Sequence, residues 1–156
     1  MNRKLENIFG SEHPDQSIGN LLVRLSNLHQ RRINSELSKL NLTYVQFVLI
    51  AGIYWLTMDN QEITQVRLIN LTKLDKSMTS SVLKKLIAKK LVVRNEHKID
   101  TRAKILTITT EGKKVVQEAV TIVEQIDKDF FSIESYKLDE LIDLFLQLVN
   151  KNESNK

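Results

Sequence analysis

Between Lys73 and Lys104 the chain sets ten basic side chains against three acids, Asp75, Glu96 and Asp100. The local charge is +7 in a 156-residue chain whose formal charge is +4. Hydroxyls are interleaved with the cations: Lys76 opens the stretch, Ser77, Ser80 and Ser81 follow, then Lys84 and Lys85. This chemistry suits a polyanion. Lysines neutralise phosphates, and small hydroxyl residues let a helix backbone approach the floor of a major groove and bond to bases or phosphates. At about 100° per residue, Ser77, Ser81 and Lys84 share one helix face, flanked by Met78, Ser80 and Lys85. The Met78 thioether can meet a thymine methyl. Thr79, Val82, Leu83 and Leu86 fall on the other face and belong to a core. Further on, Lys98, Asp100, Arg102 and Lys104 cluster where two strands would join. An arginine at a hairpin tip can enter a narrow minor groove, and a carboxylate two residues before it can orient the guanidinium. Lys98 and Lys104 would then rest on flanking phosphates. A solvated lysine-rich face and an ordinary surface ion pair are the competing readings, and charge alone does not separate them.

The elements that position these residues follow from hydrophobic period. Residues 15–40 repeat apolar side chains at three- and four-residue steps (Ile18, Leu21, Leu22, Leu25, Leu28, Ile33, Leu37, Leu40), the pattern of a long helix stopped by Asn41. Residues 1–14 read as a short arm or helix ending at Pro14. Thr43 caps a second helix running to about Met58, apolar on most sides and so expected to be largely buried. Two short helices follow, over about 64–71 and 76–89, with a turn near 72–74 and Asp75 as the cap of the second. The period then shifts from 3.6 to 2: 91–95 and 103–108 read as strands of a hairpin with a polar tip. Thr109 caps a helix from 110 to about 131, and a last helix covers about 138–150, with Leu138, Leu141, Ile142, Phe145, Leu148 and Val149 on one face.

Composition narrows the function. The chain has no cysteine, which removes disulfides, thiolate metal sites and thiol redox chemistry. Four glycines and one proline are too few for a turn-rich β fold. His13, His29 and His97 share no ligand spacing, and no phosphate loop or nucleophile elbow is present, so neither a metal, a cofactor nor an enzyme is expected. The longest apolar run, 47–56, is about half of what a bilayer requires. With no leader-like segment visible, a cytoplasmic protein with no membrane partner is expected. Residues 116–146 carry eight acids against Lys128 and Lys137, a charge of −6, so one part of the molecule is built for a polyanion and another is turned from it.

The order helix, turn, helix, hairpin is that of a winged helix-turn-helix, and here a family resemblance becomes specific. Leu74-Asp75-Lys76-Ser77, continuing to Leu86, is similar to the recognition helix of the MarR (multiple antibiotic resistance regulator) family. Leu91-Val92 with Arg94 resembles its first wing strand, Asp100-Thr101-Arg102 its D-x-R wing, and Leu106-Thr107 with Thr109 and Gly112 the next strand and turn. Leu42-Thr43-Tyr44-Val45-Gln46-Phe47 resembles the start of its second helix. Two positions depart from the pattern: Ser81 stands where the family often has arginine, and Lys90 where it usually has glycine. A left-handed Lys90 would cost roughly 1 kcal/mol.

The resemblance implies a mainly α fold with a small β-hairpin wing: a winged helix-turn-helix with N- and C-terminal dimerisation helices. Residues 1–40 would form the arm and dimerisation helix, 41–112 the DNA-binding lobe, and 113–156 the C-terminal dimerisation helices. It implies a sequence-specific transcription regulator, a ligand-responsive repressor that binds double-stranded DNA at an inverted-repeat operator as a homodimer. A non-sequence-specific architectural DNA binder is the alternative. In the family, small anionic aromatic effectors lodge where the dimerisation helices meet the lobe. Arg24 and His29 could neutralise such a ligand, and Tyr44, Tyr54 and Trp55 could stack on it; Tyr54 and Trp55 are otherwise the core of a buried helix.

Overall fold

The computed structural model describes residues 17–59, 61–96, 104–134 and 137–154. The expected arm over 1–14 and the wing tip over 97–103 lie outside them. Helix α1, Ile18–Leu37, starts at Ser17, whose side chain accepts from the Asn20 amide. Where one helix to residue 40 was expected, the last turn tightens into a 3-10 turn, Ser38–Leu40, before Asn41 turns left-handed at φ 55°. Helix α2, Tyr44–Leu56, opens on a reciprocal cap: the Gln46 amide donates to Thr43 Oγ1 at 3.3 Å, and the Thr43 amide to Gln46 Oε1 at 3.2 Å. Helices α3, Gln65–Thr72, and α4, Lys76–Ala88, are capped by Thr64 and Asp75. Strands β1, Val92–Glu96, and β2, Lys104–Ile108, pair antiparallel with Val92 opposite Ile108 and Glu96 opposite Lys104. Thr64 bridges to Ile105, and the Leu106 amide donates to the Ile63 carbonyl at 2.8 Å, so the segment before α3 widens the hairpin. Helices α5, Thr110–Phe130, and α6, Leu138–Glu153, complete the chain.

One core serves the lobe, the second half of α1 and nearly the whole length of α5. Ile33 and Leu37 from α1, Leu49, Ile50 and Ile53 from α2, Leu68, Leu83, Leu86, Leu106 and Val116 are fully or almost fully buried. Neither the first half of α1 nor any of α6 contributes to it. Ile18, Leu21, Leu22, Leu25 and Leu28 are exposed, as are Ile142, Phe145, Leu148 and Val149. Helix α2 is less enclosed than its composition suggested. Its buried residues form a stripe through Gln46, Leu49, Ile50, Ile53 and Leu56, while Trp55, about 150° round from that stripe, is 63% exposed. A helix apolar on nearly every side gives no contrast from which the inward face can be read.

Two helix ends are built alike. After the 3-10 turn, the Leu42 amide donates to the Leu37 carbonyl and the Asn41 amide to the Ser38 carbonyl. After α4, the Leu91 amide donates to the Leu86 carbonyl and the Lys90 amide to the Ile87 carbonyl, with Lys90 at φ 59°. Each is a Schellman stop with a left-handed residue followed by a buried leucine. The second stop explains why β1 begins at Val92 and not Leu91. It also explains Gly112: a Cβ there would meet the Leu91 carbonyl oxygen at 2.1 Å and Ile108 Cγ1 at 2.9 Å.

Two stability changes follow. Gly112→Ala should destabilise the fold by about 1–3 kcal/mol, because the obstruction is backbone and cannot swing away. Lys90→Gly should stabilise it by roughly 0.5–1 kcal/mol, relief of the left-handed side chain net of glycine's larger unfolded-state freedom. Urea unfolding followed by circular dichroism measures both.

Candidate nucleic-acid interface

Helix α4 is held by its inner face. Thr79, Leu83 and Leu86 are buried and Val82 is half-buried, as the wheel predicted. Lys76, Ser77, Met78, Ser81, Lys84 and Lys85 are exposed and Ser80 is half-buried. An open groove along the outer face is lined by Asp75, Lys76, Ser77, Ser80, Ser81 and Lys84. At its head one carboxylate oxygen of Asp75 accepts from the Ser77 amide at 2.7 Å and the Met78 amide at 3.0 Å. The positive end of the helix is thereby already occupied by a charge of the chain's own. What remains for an external polyanion is a row of hydroxyls ending in Lys84 and Lys85, the arrangement of a helix laid along a groove.

The wing is described only at its stem. Lys98, Asp100 and Arg102 fall outside the described residues. Lys104 does not stand free: its ammonium donates to Glu96 Oε1 at 2.6 Å across the hairpin. That hydrogen bond and the ammonium's charge hold the Glu96 carboxyl below its ordinary value. Arg94, one position along β1 from Asn95, donates from Nη2 to Gln65 Oε1 at 2.8 Å and ties the wing to the start of α3. Lys89, counted among the ten cations, turns inward. Its ammonium donates to Gln46 Oε1 at 2.9 Å and to the Asn41 carbonyl. Neither tie was signalled by sequence, since partners 29 to 48 residues apart leave no periodic trace.

The five residues considered for an effector do not gather at one point. His29 and Tyr44 do meet, ring centroids 5.9 Å apart and edge-on. His29 also packs against Phe130 and Phe131, and its Nε2 lies 2.7 Å from Asp127 Oδ1. Burial, and secondarily the Asp127 charge, push the Tyr44 hydroxyl above its ordinary value. Tyr54 lies ten residues along α2, about 15 Å away, half-buried, its hydroxyl accepting from Gln117 Nε2 at 3.1 Å. Trp55 faces solvent and Arg24 is on the exposed part of α1. Among the described residues no group of three His, Asp or Glu side chains is placed to hold a metal ion, and no single helix is long and apolar enough to cross a membrane.

Comparison with known proteins agrees with this architecture. Residues 35–126 match the family described as ArnR1-like, winged-helix domain. The chain is 32% identical over 119 residues to the uncharacterized HTH-type transcriptional regulator YdcH of Bacillus subtilis, covering 76% of this chain and 81% of that one. A MarR variant from Escherichia coli complexed with operator DNA superposes with a TM-score of 0.73 at 23% identity, covering 90% of this chain and 98% of that chain. The Bordetella bronchiseptica protein BpsR, whose DNA binding is regulated by 6-hydroxynicotinic acid, does so with a TM-score of 0.70 at 24% identity, covering 86% and 98%. These relatives are regulators and not enzymes. With its capped α3–turn–α4 pair, its hairpin and its flanking long helices, the chain belongs to the ArnR1-like winged-helix family, is related to helix-turn-helix transcription regulators, and shares the fold of the MarR structures.

Proposed function

We propose that the chain is a repressor that binds an inverted-repeat operator as a cytoplasmic homodimer, and that a small anionic aromatic effector releases it. The observation that carries the reading is the outer face of α4, where hydroxyls and lysines stand in a row on a helix whose other side is locked into the core. In this reading Ser77, Ser80 and Ser81 meet base edges or phosphates, Met78 meets a thymine methyl, and Lys76, Lys84 and Lys85 take phosphates. Arg102 enters the minor groove, oriented by Asp100, with Lys98 beside it. Lys104 stiffens the wing stem through Glu96 and keeps its other N–H donors for a phosphate.

Dimerisation is supported by the uncovered apolar residues of α1 and α6, among them Leu21, Leu25, Leu28, Ile142, Phe145 and Leu148, since extended exposed apolar faces mark interaction surfaces. Residues 1–40 and 113–156 would supply the dimer body and 41–112 the DNA-binding lobe. Two-fold symmetry then sets half-site centres about one helical turn apart. The effector reading draws support from BpsR, whose DNA binding is regulated by an aromatic acid, 6-hydroxynicotinic acid. An acid arriving near His29 and Tyr44 would have to compete with the Asp127 carboxylate, so its binding would loosen α1 from α5.

Footprinting on the DNA upstream of the chain's own gene, with random DNA as competitor, separates a specific regulator from an architectural binder. The native protein should protect a symmetric site and resist random competitor. Ser77→Asp should lower operator affinity by about 100-fold or more, since the new carboxylate faces phosphate, while circular dichroism stays native. Near-native binding by that variant would overturn the docking. Phe145→Asp should weaken the dimer by about 100-fold as read by sedimentation; a native dimer in that variant would place the interface elsewhere.

A further inference from the structure

Lys89 is the residue that the DNA-binding reading leaves unexplained. It lies in the most basic stretch of the chain and caps α4, yet its ammonium points back into the protein. Three elements converge on it. The Asn41 carbonyl belongs to the left-handed residue that ends α1 and its 3-10 turn. Gln46, 4% exposed, belongs to the first turn of α2, and its Oε1 already accepts the Thr43 amide of the cap. Lys89 itself is the last residue before the Schellman stop of α4. One ammonium thus joins the end of α1, the start of α2 and the end of α4. At about 100° per residue it lies about 120° round α4 from Ser77, off the face that carries Ser81 and Lys84.

We propose that Lys89 is a positioning residue for operator recognition: it pins the C-terminal end of α4 to the α1–α2 junction and so fixes the angle between the recognition helix and the long helix α1. This rests on the reading of α4 as the DNA-facing helix. The lever is long. Ser77 lies twelve residues from Lys89, about 18 Å along the helix, so a tilt of about 6° about the pinned end carries Ser77 roughly 2 Å. A hydrogen bond to a base edge does not survive that displacement. Charge-assisted bonds to two acceptors, one of them in a buried amide, are stiff enough to set such an angle. Binding to random DNA depends on charge near phosphates and tolerates the tilt.

Lys89→Met in the full-length protein tests the proposal, with Lys84→Ala as the comparator for a phosphate contact. Lys84→Ala should weaken operator and random DNA alike and lower the salt slope by about two per dimer. Lys89→Met should instead lower operator affinity by about tenfold or more, leave random-DNA affinity within about twofold and leave the salt slope unchanged. Lys89→Arg should restore operator affinity. Gln46→Met, which removes an acceptor from the far side of the pin, should reproduce the loss, and the double variant should lose no more than either single one; it also carries the test if Lys89→Met fails to fold. A DNA-free arm uses the absence of cysteine: spin labels at Ser35→Cys and Ser81→Cys should give a narrow distance distribution that broadens or shifts with Lys89→Met. A salt slope that falls by about two, with both DNAs weakened equally, would make Lys89 a phosphate contact and overturn the proposal. So would unchanged operator affinity together with an unchanged label distance. If the native chain discriminates no DNA sequence, the repressor reading fails while the label distances still judge the pin.

Discussion

The carbonyl oxygen of Leu91 is the point from which the DNA-facing half of the molecule is hung. It accepts the Thr109 amide at 3.1 Å and the Thr109 hydroxyl at 3.1 Å, and lies where any side chain on residue 112 would have to go, while the amide of the same residue closes the stop of α4 on the Leu86 carbonyl. Thr109 in turn caps α5 by accepting the Gly112 amide at 2.9 Å. Recognition helix, hairpin and the long helix α5 therefore meet at a single residue, Leu91. Left-handed Lys90 is tolerated because the alternative is to move Leu91, and with it the register in which Val92 meets Ile108.

Charge is distributed less simply than its count suggests. Of the ten cations between Lys73 and Lys104, Lys89 is spent on the junction of α1 and α2, Lys104 on Glu96, and Arg94 on Gln65. The lysines that stay outward on α4 are those in phase with its serines. The basic segment is thus two populations: cations that orient the DNA-binding elements and cations left over for a ligand. A local charge of +7 overstates the second population and conceals the first.

Much of this was legible beforehand, for identifiable reasons. Caps are short-range chemistry, so Thr43, Asp75 and Thr109 mark their helices by type and position. The inner and outer faces of α4 follow from the spacing of Thr79, Val82, Leu83 and Leu86. The shift of period after Leu91 announces the hairpin. What sequence hid is long-range or contrast-free: the partners of Lys89, Arg94 and His29 lie 29 to 98 residues away, and the outward face of α2 is as apolar as its inward face. Boundaries moved where one residue serves two elements, as at Leu91, and where a helix tightens before it stops, as at Ser38.

The position of Trp55 has a practical consequence. It is the only tryptophan in the chain, and it sits near the end of α2 with most of its ring in water. Its emission in the folded protein will resemble that of the unfolded chain, so intrinsic fluorescence will follow denaturation poorly. The same exposure makes it a responsive optical probe for anything that covers that end of the lobe. A blue shift on adding DNA, an aromatic acid or another macromolecule would report contact at this surface directly, with no label and no second indole to confuse the signal.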